Sequence, residues 1–329
     1  MELMTKMKKI CIIGAGNIGS RHLQAVKKIS TPVSIEVIDP SPTALETAKE
    51  RYDQISSTQK HQILYLQNME NMSNEFDIAI IATSSNIRRQ VIENLLSKAT
   101  VKYLILEKIL FQNKKDYIFI EKLLKKHVKK TWINFSMRTM PFYFDLKKKL
   151  NGTSVQLNVS GSDYGLVTNA IHYIDYLAFL TNCNDFTVET SGLEKKIVES
   201  KRPGFLELNG TLNVNFKNGS FASIICYPDN NAPVIVEILS KNYRCISKES
   251  EKKAWISEPS NDWNWTEIDS NLPYQSEMTN IVAEDIFKSG ICNLATYKQA
   301  SKLHLTLLDG LLKFINKVSR KKYTLYPFT

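Results

Sequence analysis

The sequence predicts an α/β protein with two domains: an N-terminal doubly wound parallel sheet, and a C-terminal α+β domain with an open antiparallel sheet. Three observations predict this fold. Short apolar runs alternate with amphipathic helical segments up to residue 136, a glycine-rich loop follows the first apolar run, and period-two alternation dominates from residue 137 onward. At 329 residues the chain is long enough for two domains. We place them at residues 1–136 and 137–329.

The first domain shows the apolar runs that are typical of strands buried on both faces of a sheet. We expect strands at residues 9–13, 34–38, 62–66, 78–82, 103–106 and 131–135. Amphipathic segments between them predict helices that begin near residues 18, 43, 86 and 115. This alternation predicts a parallel sheet covered by helices on both sides.

The second domain is predicted from alternating apolar and polar residues. The segments "TSVQLNVS", "LELNGTLNVNF", "GSFASIICY" and "APVIVEIL" and residues 255–268 read as antiparallel strands, and "KNGS" predicts a hairpin turn. Helices are expected at residues 276–289 and 297–318, and a further helix lies in residues 162–180, between the first two strand segments.

This last helix, "SDYGLVTNAIHYIDYLAFL", is apolar but carries one histidine and one aspartate. At about 100° per residue its polar side chains share one face, opposite an apolar arc. The predicted polar face consists of Thr168, Asn169, His172, Asp175 and Tyr176. A lone histidine on such a helix is most often a packed side chain, so its role depends on the rest of the chain.

Composition excludes several classes of protein. No apolar run approaches the roughly 20 residues that cross a bilayer, and the run at residues 10–13 is too short for a signal-peptide core. The five cysteines are scattered without a CxxC pair, which argues against disulfides and a zinc site and favours the cytoplasm. The net charge of +10 comes from lysine runs typical of solvated helix faces, and it mildly favours an anionic substrate. No nucleic-acid-binding motif is present.

The loop after the first strand contains Gly14-x-Gly16-x-x-Gly19, which opens the first helix. In this pattern the first glycine permits a tight turn, the second allows a close approach to a pyrophosphate, and the third allows helix–strand packing. A second strand ends at Asp39, twenty residues after Gly19, where a carboxylate accepts hydrogen bonds from a ribose. The pattern predicts a Rossmann domain that binds NAD in preference to NADP, with Asn17 and Ile18 in the cofactor loop.

Two further strand ends carry polar residues, and ligands collect at such ends in open α/β sheets. Thr83, Ser84 and Asn86 either cap the following helix or contact the cofactor. Glu107 and Lys108 end the next strand, where a lysine can donate to a substrate hydroxyl or to a developing carbonyl oxygen. A surface ion pair is the alternative for these two residues.

The order of the Gly-rich loop, Asp39, "IIATSSN", "LEKIL", "INFSMRTMPFYFDLKKKL" and "NAIHYIDYL" resembles that of the Gfo/Idh/MocA oxidoreductases, the relatives of glucose-fructose oxidoreductase and inositol dehydrogenase. The resemblance covers nearly the whole chain. It implies an NAD(P)-binding Rossmann domain, and a second domain whose open sheet binds a further copy in a homodimer or homotetramer. It also implies a lysine in an EKP motif and a histidine on a helix as general acid and base.

Matched to the family motifs, Glu107 and Lys108 take the places of the EKP glutamate and lysine. His172 takes the place of the catalytic histidine, with Asp175 one turn on. Arg138, in "SMR", resembles an arginine that lies near the substrate, and we expect it and Asn169 to bind substrate.

The chain also departs from the family pattern. Ile109 stands where the family usually has the proline of EKP, Ser84 where it has another proline, and Arg88 where it has a histidine. Thr168 occupies the position of an aspartate that many sugar alcohol dehydrogenases carry. The change at Ile109 bears on the direction of the Lys108 side chain. The change at Thr168 bears on the acid/base chemistry and on the identity of the substrate.

The expected function is an NAD-dependent dehydrogenase or reductase that acts on CH–OH groups of a sugar, sugar acid or nucleotide sugar, with surface polysaccharide or nonulosonic acid biosynthesis as its setting. In this hypothesis Lys108 holds the reacting oxygen, His172 exchanges its proton, Asp175 orients the imidazole or bonds across the domain interface, and hydride moves to or from the nicotinamide. Two alternatives are a non-catalytic NAD-binding sensor or scaffold, and a redox-neutral epimerase or eliminating enzyme with tightly held NAD.

Overall fold

The computed structural model describes residues 7–150 and 152–329, which form two compact units. The first unit contains the chain up to Ser136 together with residues 273–297, and the second contains residues 137–272 and 298–329. The predicted boundary at 136/137 coincides with this division. The return of residues 273–297 to the first unit was not predicted. It occurs because Val282, Ala283 and Ile286 pack in the first unit's apolar core.

The helices and strands alternate along the chain in the order that the hydrophobic pattern indicates. The strands are β1 (Lys8–Ile13), β2 (Val33–Ile38), β3 (Gln62–Leu66), β4 (Glu75–Ile81), β5 (Thr100–Leu106), β6 (Lys130–Ile133), β7 (Gln156–Ser162), β8 (Phe186–Glu189), β9 (Val198–Glu199), β10 (Leu206–Glu207), β11 (Gly210–Phe216), β12 (Phe221–Tyr227), β13 (Ile235–Leu239), β14 (Arg244–Lys248), β15 (Lys253–Ser257), β16 (Thr266–Asp269) and β17 (Ala295–Thr296). The α-helices are α1 (Asn17–Val26), α2 (Pro42–Asp53), α3 (Arg88–Lys98), α4 (Lys114–His127), α5 (Pro141–Leu150), α6 (Leu166–Thr181), α7 (Thr279–Ser289) and α8 (Tyr297–Val318).

The sheet of the first unit has seven strands in the order β17-β6-β5-β4-β1-β2-β3. Strands β1 to β6 are parallel, as predicted, and the six predicted strands all form, with ends that shift by up to three residues. The short β17 adds an antiparallel edge strand that the sequence did not predict, because a strand of two residues is too short to show an alternation of apolar and polar side chains. The strand order reverses at β1 and β4, which is where open α/β sheets bind ligands at their carboxyl ends.

The sheet of the second unit has eight strands in the order β16-β15-β14-β13-β7-β12-β11-β8. The "KNGS" turn joins β11 and β12 as an antiparallel hairpin, as predicted. The sheet is mainly antiparallel, as predicted, and β7 and β12 form a parallel pair within it. A parallel pair needs a long crossover, which the chain from α6 to β11 supplies. The predicted strand "LELNGTLNVNF" is split into β10 and β11, because the backbone turns at Gly210, whose φ is +97°.

Helix α6 in the second unit is buried on more sides than its pattern predicts. Thr168, Asn169 and His172 are half-buried, but Asp175 and Tyr176 are fully buried, so the five polar residues do not share one wet face. The predicted polar face is thus half-buried in the N-terminal half of the helix and fully buried at Asp175 and Tyr176. The reason is that Asp175 has an ionic partner inside the unit, which a helical wheel cannot show.

The partner of Asp175 is Arg138, which lies in a short 3-10 helix and is 6% exposed. Its Nε donates to Asp175 Oδ2 at 2.8 Å, and one terminal nitrogen donates to Oδ1 at 2.5 Å. Burial raises the pKa of Asp175 to about 6, although the charge and hydrogen bonds of Arg138 oppose this. A buried pair of this kind contributes little net stability when it is complete, but breaking it leaves an uncompensated charge.

The pair predicts a pH-dependent loss of stability in Arg138→Met. Since the folded-state pKa of Asp175 exceeds its unfolded value, its stabilising contribution is full below about pH 4 and declines as the pH rises through about 6. Without Arg138 this decline extends to higher pH, and we expect a deficit of about 3–5 kcal/mol near pH 8 that narrows toward pH 5. The measurement is urea unfolding followed by tryptophan fluorescence, which reports mainly the second unit through Trp255, Trp263 and Trp265.

The control for this prediction is Arg138→Met combined with Asp175→Asn, which removes both charges. It should be more stable than Arg138→Met alone at pH 8 and should lose the extra pH dependence. A deficit of Arg138→Met that is the same at pH 5 and pH 8 would contradict the assignment.

Candidate cofactor and active site

The Gly-rich loop leaves β1 in a turn that only glycine accommodates easily. Gly14 has φ +95°, and its N–H donates to the carbonyl of Ile38 at 2.9 Å. A Cβ on Gly14 would lie 3.0 Å from the carbonyl carbon of Ala82, and a Cβ on Gly19 would lie 1.7 Å from the Gly14 oxygen. A side chain at Gly14 or Gly19 would therefore be resisted by the backbone conformation at the first position and by close packing at both.

The middle glycine is the exposed one. Gly16 precedes α1, and a Cβ built on it would meet no described heavy atom within 4 Å. Within the described chain no side chain caps α1, so the N–H groups of its first turn are available to an anion. Asn17 is exposed and Ile18 is half-buried beside this space. The loop thus has the open backbone surface that a pyrophosphate needs.

Asp39 lies at the end of β2, as predicted, and is half-buried. Its Oδ2 accepts a hydrogen bond from the N–H of Ala15 at 2.7 Å, and its Oδ1 accepts one from the N–H of Ser41 at 2.9 Å. A carboxylate offers about four lone-pair directions, so ribose hydroxyls have acceptor capacity left. Asp39 also fixes the shape of the glycine loop, which the sequence did not predict.

The segment after β4 answers one alternative left by the sequence. Helix α3 begins at Arg88 rather than near residue 86, and among the described residues no side chain caps it at Ile87. Ser84 instead donates its hydroxyl to Asn86 Oδ1 at 2.7 Å. Thr83 Oγ1 is buried and has no hydrogen-bond partner among the described residues. A buried hydroxyl with unused capacity next to the Gly14 turn favours the cofactor-contact alternative for Thr83.

Glu107, at the end of β5, is 6% exposed and belongs to a buried polar network within the first unit. Its Oε1 lies 3.0 Å from His22 Nε2 and accepts a hydrogen bond from Asn134 Nδ2 at 2.6 Å. His22 Nδ1 lies 2.8 Å from Thr279 Oγ1, and Gln275 Oε1 accepts from Asn134 at 3.0 Å. The network therefore joins α1, the ends of β5 and β6, and the segment that returns from residue 273.

This network also determines the charge of Glu107. Burial alone would raise its pKa, but the hydrogen bond and charge of His22, the charge of Lys108 and the hydrogen bond from Asn134 together lower the pKa to about 2. Lys108 follows it and is half-buried, between the buried side chains of Glu107 and Ile109. The sheet edge thus presents a lysine next to a carboxylate that stays ionised.

The remaining predicted site residues belong to the second unit. His172 is half-buried on α6, and Asn169 uses its Nδ2 to donate to the carbonyls of Tyr164 at 2.5 Å and Gly165 at 3.1 Å. Thr168 donates its hydroxyl to Glu207 at 2.8 Å. Asp175 and Arg138 form the buried pair described above, so the carboxylate of Asp175 bonds within its own unit.

Sequence reasoning missed several residues that organise these sites. His22, Asn134, Gln275 and Thr279 hold Glu107, and Glu207 holds the start of α6 by accepting from the N–H groups of Val167 and Thr168. His22 offered a signal, since it lies three residues after Gly19 on the same helix. The others offered none, because their partners lie as far as 257 residues away along the chain.

Residues 7–150 and 152–329 contain neither a metal-binding cluster nor a helix suited to span a membrane. No group of three or more histidine, cysteine, aspartate or glutamate side chains there is placed to hold a metal ion. No helix there has the length and apolar character needed to cross a bilayer.

Comparisons with known proteins agree with the first unit's geometry. Residues 8–135 match the model of an oxidoreductase family with an NAD-binding Rossmann fold. Among curated proteins, none matches the sequence.

Solved structures match over nearly the whole chain. UDP-N-acetylglucosamine 3-dehydrogenase GnnA from Acidithiobacillus ferrooxidans is 12% identical, with a TM-score of 0.71 over 96% of this chain and 100% of that chain. An oxidoreductase from Agrobacterium radiobacter, in complex with NAD+, L-tartaric acid and magnesium, is 13% identical, with a TM-score of 0.69 over 95% and 97%. A super-repressor mutant of Gal80p from Saccharomyces cerevisiae is 14% identical, with a TM-score of 0.67 over 96% and 100%. At these identities the likenesses show the fold alone.

The family model describes an NAD-binding fold, and the glycine turn, the open surface at Gly16, Asp39 and Thr83 fit that cofactor. The domain of residues 8–135 thus matches the NAD-binding Rossmann domain of the Gfo/Idh/MocA oxidoreductases.

Proposed function

We propose that this protein is an NAD-dependent dehydrogenase or reductase that acts on a CH–OH or carbonyl group of a sugar, sugar acid or nucleotide sugar. The observation that carries the proposal is the arrangement at the carboxyl edge of the first unit's sheet. The cofactor loop, Thr83 and Lys108 follow β1, β4 and β5, which are neighbouring strands. Ligands of open α/β sheets bind at this edge.

The chemical roles follow from the side chains. When bound, NAD supplies hydride acceptance or donation at its nicotinamide ring. Lys108 donates a hydrogen bond to the reacting oxygen and stabilises negative charge that develops there. Glu107 beside it stays ionised, because His22, Lys108 and Asn134 lower the pKa of its carboxyl group. His172, on α6 of the second unit, exchanges the proton of that oxygen.

We assign Asp175 and Arg138 positioning roles rather than direct contact with substrate. Both side chains are committed to their mutual ion pair, and they fix the segment before α5 to the middle of α6, three residues after His172. Asn169 likewise braces the start of α6 through Tyr164 and Gly165.

The substrate class is proposed from two indications. The net charge of +10 favours an anionic compound through long-range attraction. Two of the similar structures are a UDP-N-acetylglucosamine 3-dehydrogenase and an oxidoreductase in complex with NAD+, L-tartaric acid and magnesium, so one acts on a nucleotide sugar and the other binds a small organic acid. A setting in surface polysaccharide or nonulosonic acid biosynthesis, in the cytoplasm, fits this class.

We also propose that the outward face of the second unit's sheet binds a second copy of the chain. This face carries a concavity of about 740 Å³ bordered by Phe221, Leu239, Ile246 and Trp265.

Light scattering during size-exclusion chromatography should give a mass of two or four chains of 37.6 kDa. Replacement of Ile246 by Asp should lower that mass, and a monomeric wild-type protein would contradict the proposal.

The experiment for the activity follows nicotinamide absorbance in mixtures of the purified protein, NAD+ or NADH, and a panel of sugars, sugar acids and nucleotide sugars. We expect turnover with one of these classes. Two of the similar structures are of Gal80p, which in Kluyveromyces lactis is a transcriptional regulator, so the fold also serves proteins of another class. NADH binding without turnover across the panel would favour a nucleotide-binding sensor or scaffold.

The cofactor loop predicts different outcomes for two glycine substitutions. Gly16→Ala adds a Cβ where nothing described lies within 4 Å, so the free energy of unfolding should change by less than about 1 kcal/mol. The same Cβ would lie at the open surface where the pyrophosphate approaches, so the NADH dissociation constant should rise at least about tenfold. Fluorescence titration with NADH measures it. Gly19→Ala should instead prevent stable folding, and equal behaviour of the two variants would contradict this account.

The chemical roles predict that Lys108→Met and His172→Asn each lower kcat by about 10²-fold or more while the NADH dissociation constant changes less than about threefold. Stopped-flow or steady-state absorbance measures kcat, and NADH fluorescence measures binding. Lys102→Met, on the exposed outer part of the same strand, and His127→Asn, at the exposed end of α4, are the matched controls. Unchanged kcat in Lys108→Met would remove that lysine from the mechanism.

A further inference from the structure

Arg88 is an unusual residue in the first unit because its side chain is 1% exposed, among the largest fully buried side chains of the described chain. Its guanidinium donates to three carbonyl oxygens. One terminal nitrogen donates to the carbonyls of Ile109 and of Leu110, the latter at 2.9 Å, and the other donates to the carbonyl of Thr83. A buried charge is tolerated only when hydrogen bonds compensate its loss of hydration, so these contacts are strongly held.

The three carbonyls belong to the two loops that form the predicted site. Thr83 follows β4 and is the candidate cofactor contact, while Ile109 and Leu110 follow Lys108 after β5. Beyond Leu106 the strand ladder has ended, so the carbonyls of this turn need other donors. Arg88 supplies them from the first residue of α3.

Lys108 is therefore held from both sides. On its N-terminal side, Glu107 is fixed by His22 and Asn134. On its C-terminal side, the backbone of Ile109 and Leu110 is fixed by Arg88. With both neighbours buried and bonded, the backbone of Lys108 is fixed and so is the direction in which its half-buried side chain leaves the chain.

Two departures from the family pattern meet at this contact. Ile109 stands at the usual proline position and Arg88 at the usual histidine position, and in this chain the guanidinium of one donates to the carbonyl of the other. A guanidinium has five donors in a rigid fork and can reach several carbonyls at once, which an imidazole cannot.

We infer that Arg88 is a positioning residue for Lys108 and Thr83, which joins the turn of residues 107–113 to the loop after β4 through its hydrogen bonds to Ile109, Leu110 and Thr83. The inference extends the proposed function, but its structural part holds for the chain whether or not it turns over a substrate.

The test compares Arg88→Met and Arg88→Lys with wild type in the full-length protein. Hydrogen–deuterium exchange should show amides in residues 107–113 exchanging at least about tenfold faster in Arg88→Met, since the turn loses its donors. Arg88→Lys should fall between, because an ammonium is a point donor and cannot span three carbonyls. If Arg88→Met does not fold, Arg88→Lys carries the same comparison.

The matched control is Arg89→Met, one residue further on α3. Arg89 is half-buried and its partners are Glu93 at 3.2 Å and Asp116 at 2.6 Å, outside the turn. Arg89→Met should leave the rate of amide exchange in residues 107–113 unchanged from wild type. Wild-type exchange there in Arg88→Met would overturn the inference.

Turnover gives the second readout. With a substrate found in the panel, Arg88→Met should lower kcat by about 10²-fold through misplacement of Lys108, a larger factor than any rise in the KM for NADH through misplacement of Thr83. A higher KM for NADH with an unchanged kcat would overturn the positioning role toward Lys108. Absence of turnover in wild type would reject the proposed function, whereas the exchange experiment would still decide the inference.

Discussion

The buried carboxylate of Glu107 is the constraint on which the first unit's site depends. A charge with so little exposure is stable only with compensating partners around it. His22 and Asn134 supply hydrogen bonds, and the adjacent Lys108 supplies a positive charge. The hydrogen-bond partners come from α1 and the end of β6, and the positive charge comes from the residue after Glu107. Because α1 also begins in the glycine loop, the geometry of the cofactor loop and that of the lysine are set by one connected network.

The need for hydrogen-bond partners in this network, together with apolar contacts, also explains why residues 273–297 return to the first unit. Gln275 and Thr279 complete the hydrogen bonds of Asn134 and His22, while Val282 and Ile286 bury apolar surface in the core. On the far side of Lys108, Arg88 provides the donors that the end of β5 lacks. In the second unit the Arg138–Asp175 pair and Glu207 hold α6 in a comparable way, by burying charge where it is hydrogen-bonded.

Much of this was predictable from local sequence. The strands of the parallel sheet follow from apolar runs, and the positions of Gly14, Gly19 and Asp39 follow from a spacing that has a steric cause. Interactions between distant residues were not predictable: a helical wheel placed Asp175 on a polar face, whereas Arg138, 37 residues away, draws it into the interior. Likewise, no local pattern connects Arg88 to Ile109, because a hydrogen bond to a backbone carbonyl leaves no mark on the accepting residue's identity.

The central claim is that these fixed side chains serve hydride transfer rather than nucleotide binding alone. Transfer of deuterium tests it most directly: the protein is incubated with NAD+ and with sugars, sugar acids and nucleotide sugars deuterated at the carbinol carbon, and the nicotinamide is analysed by mass spectrometry. The account predicts deuterium on the nicotinamide with one substrate class, and none with Lys108→Met. Tight NADH binding without deuterium transfer from any compound would contradict the account and leave a nucleotide-binding protein with the architecture of an oxidoreductase.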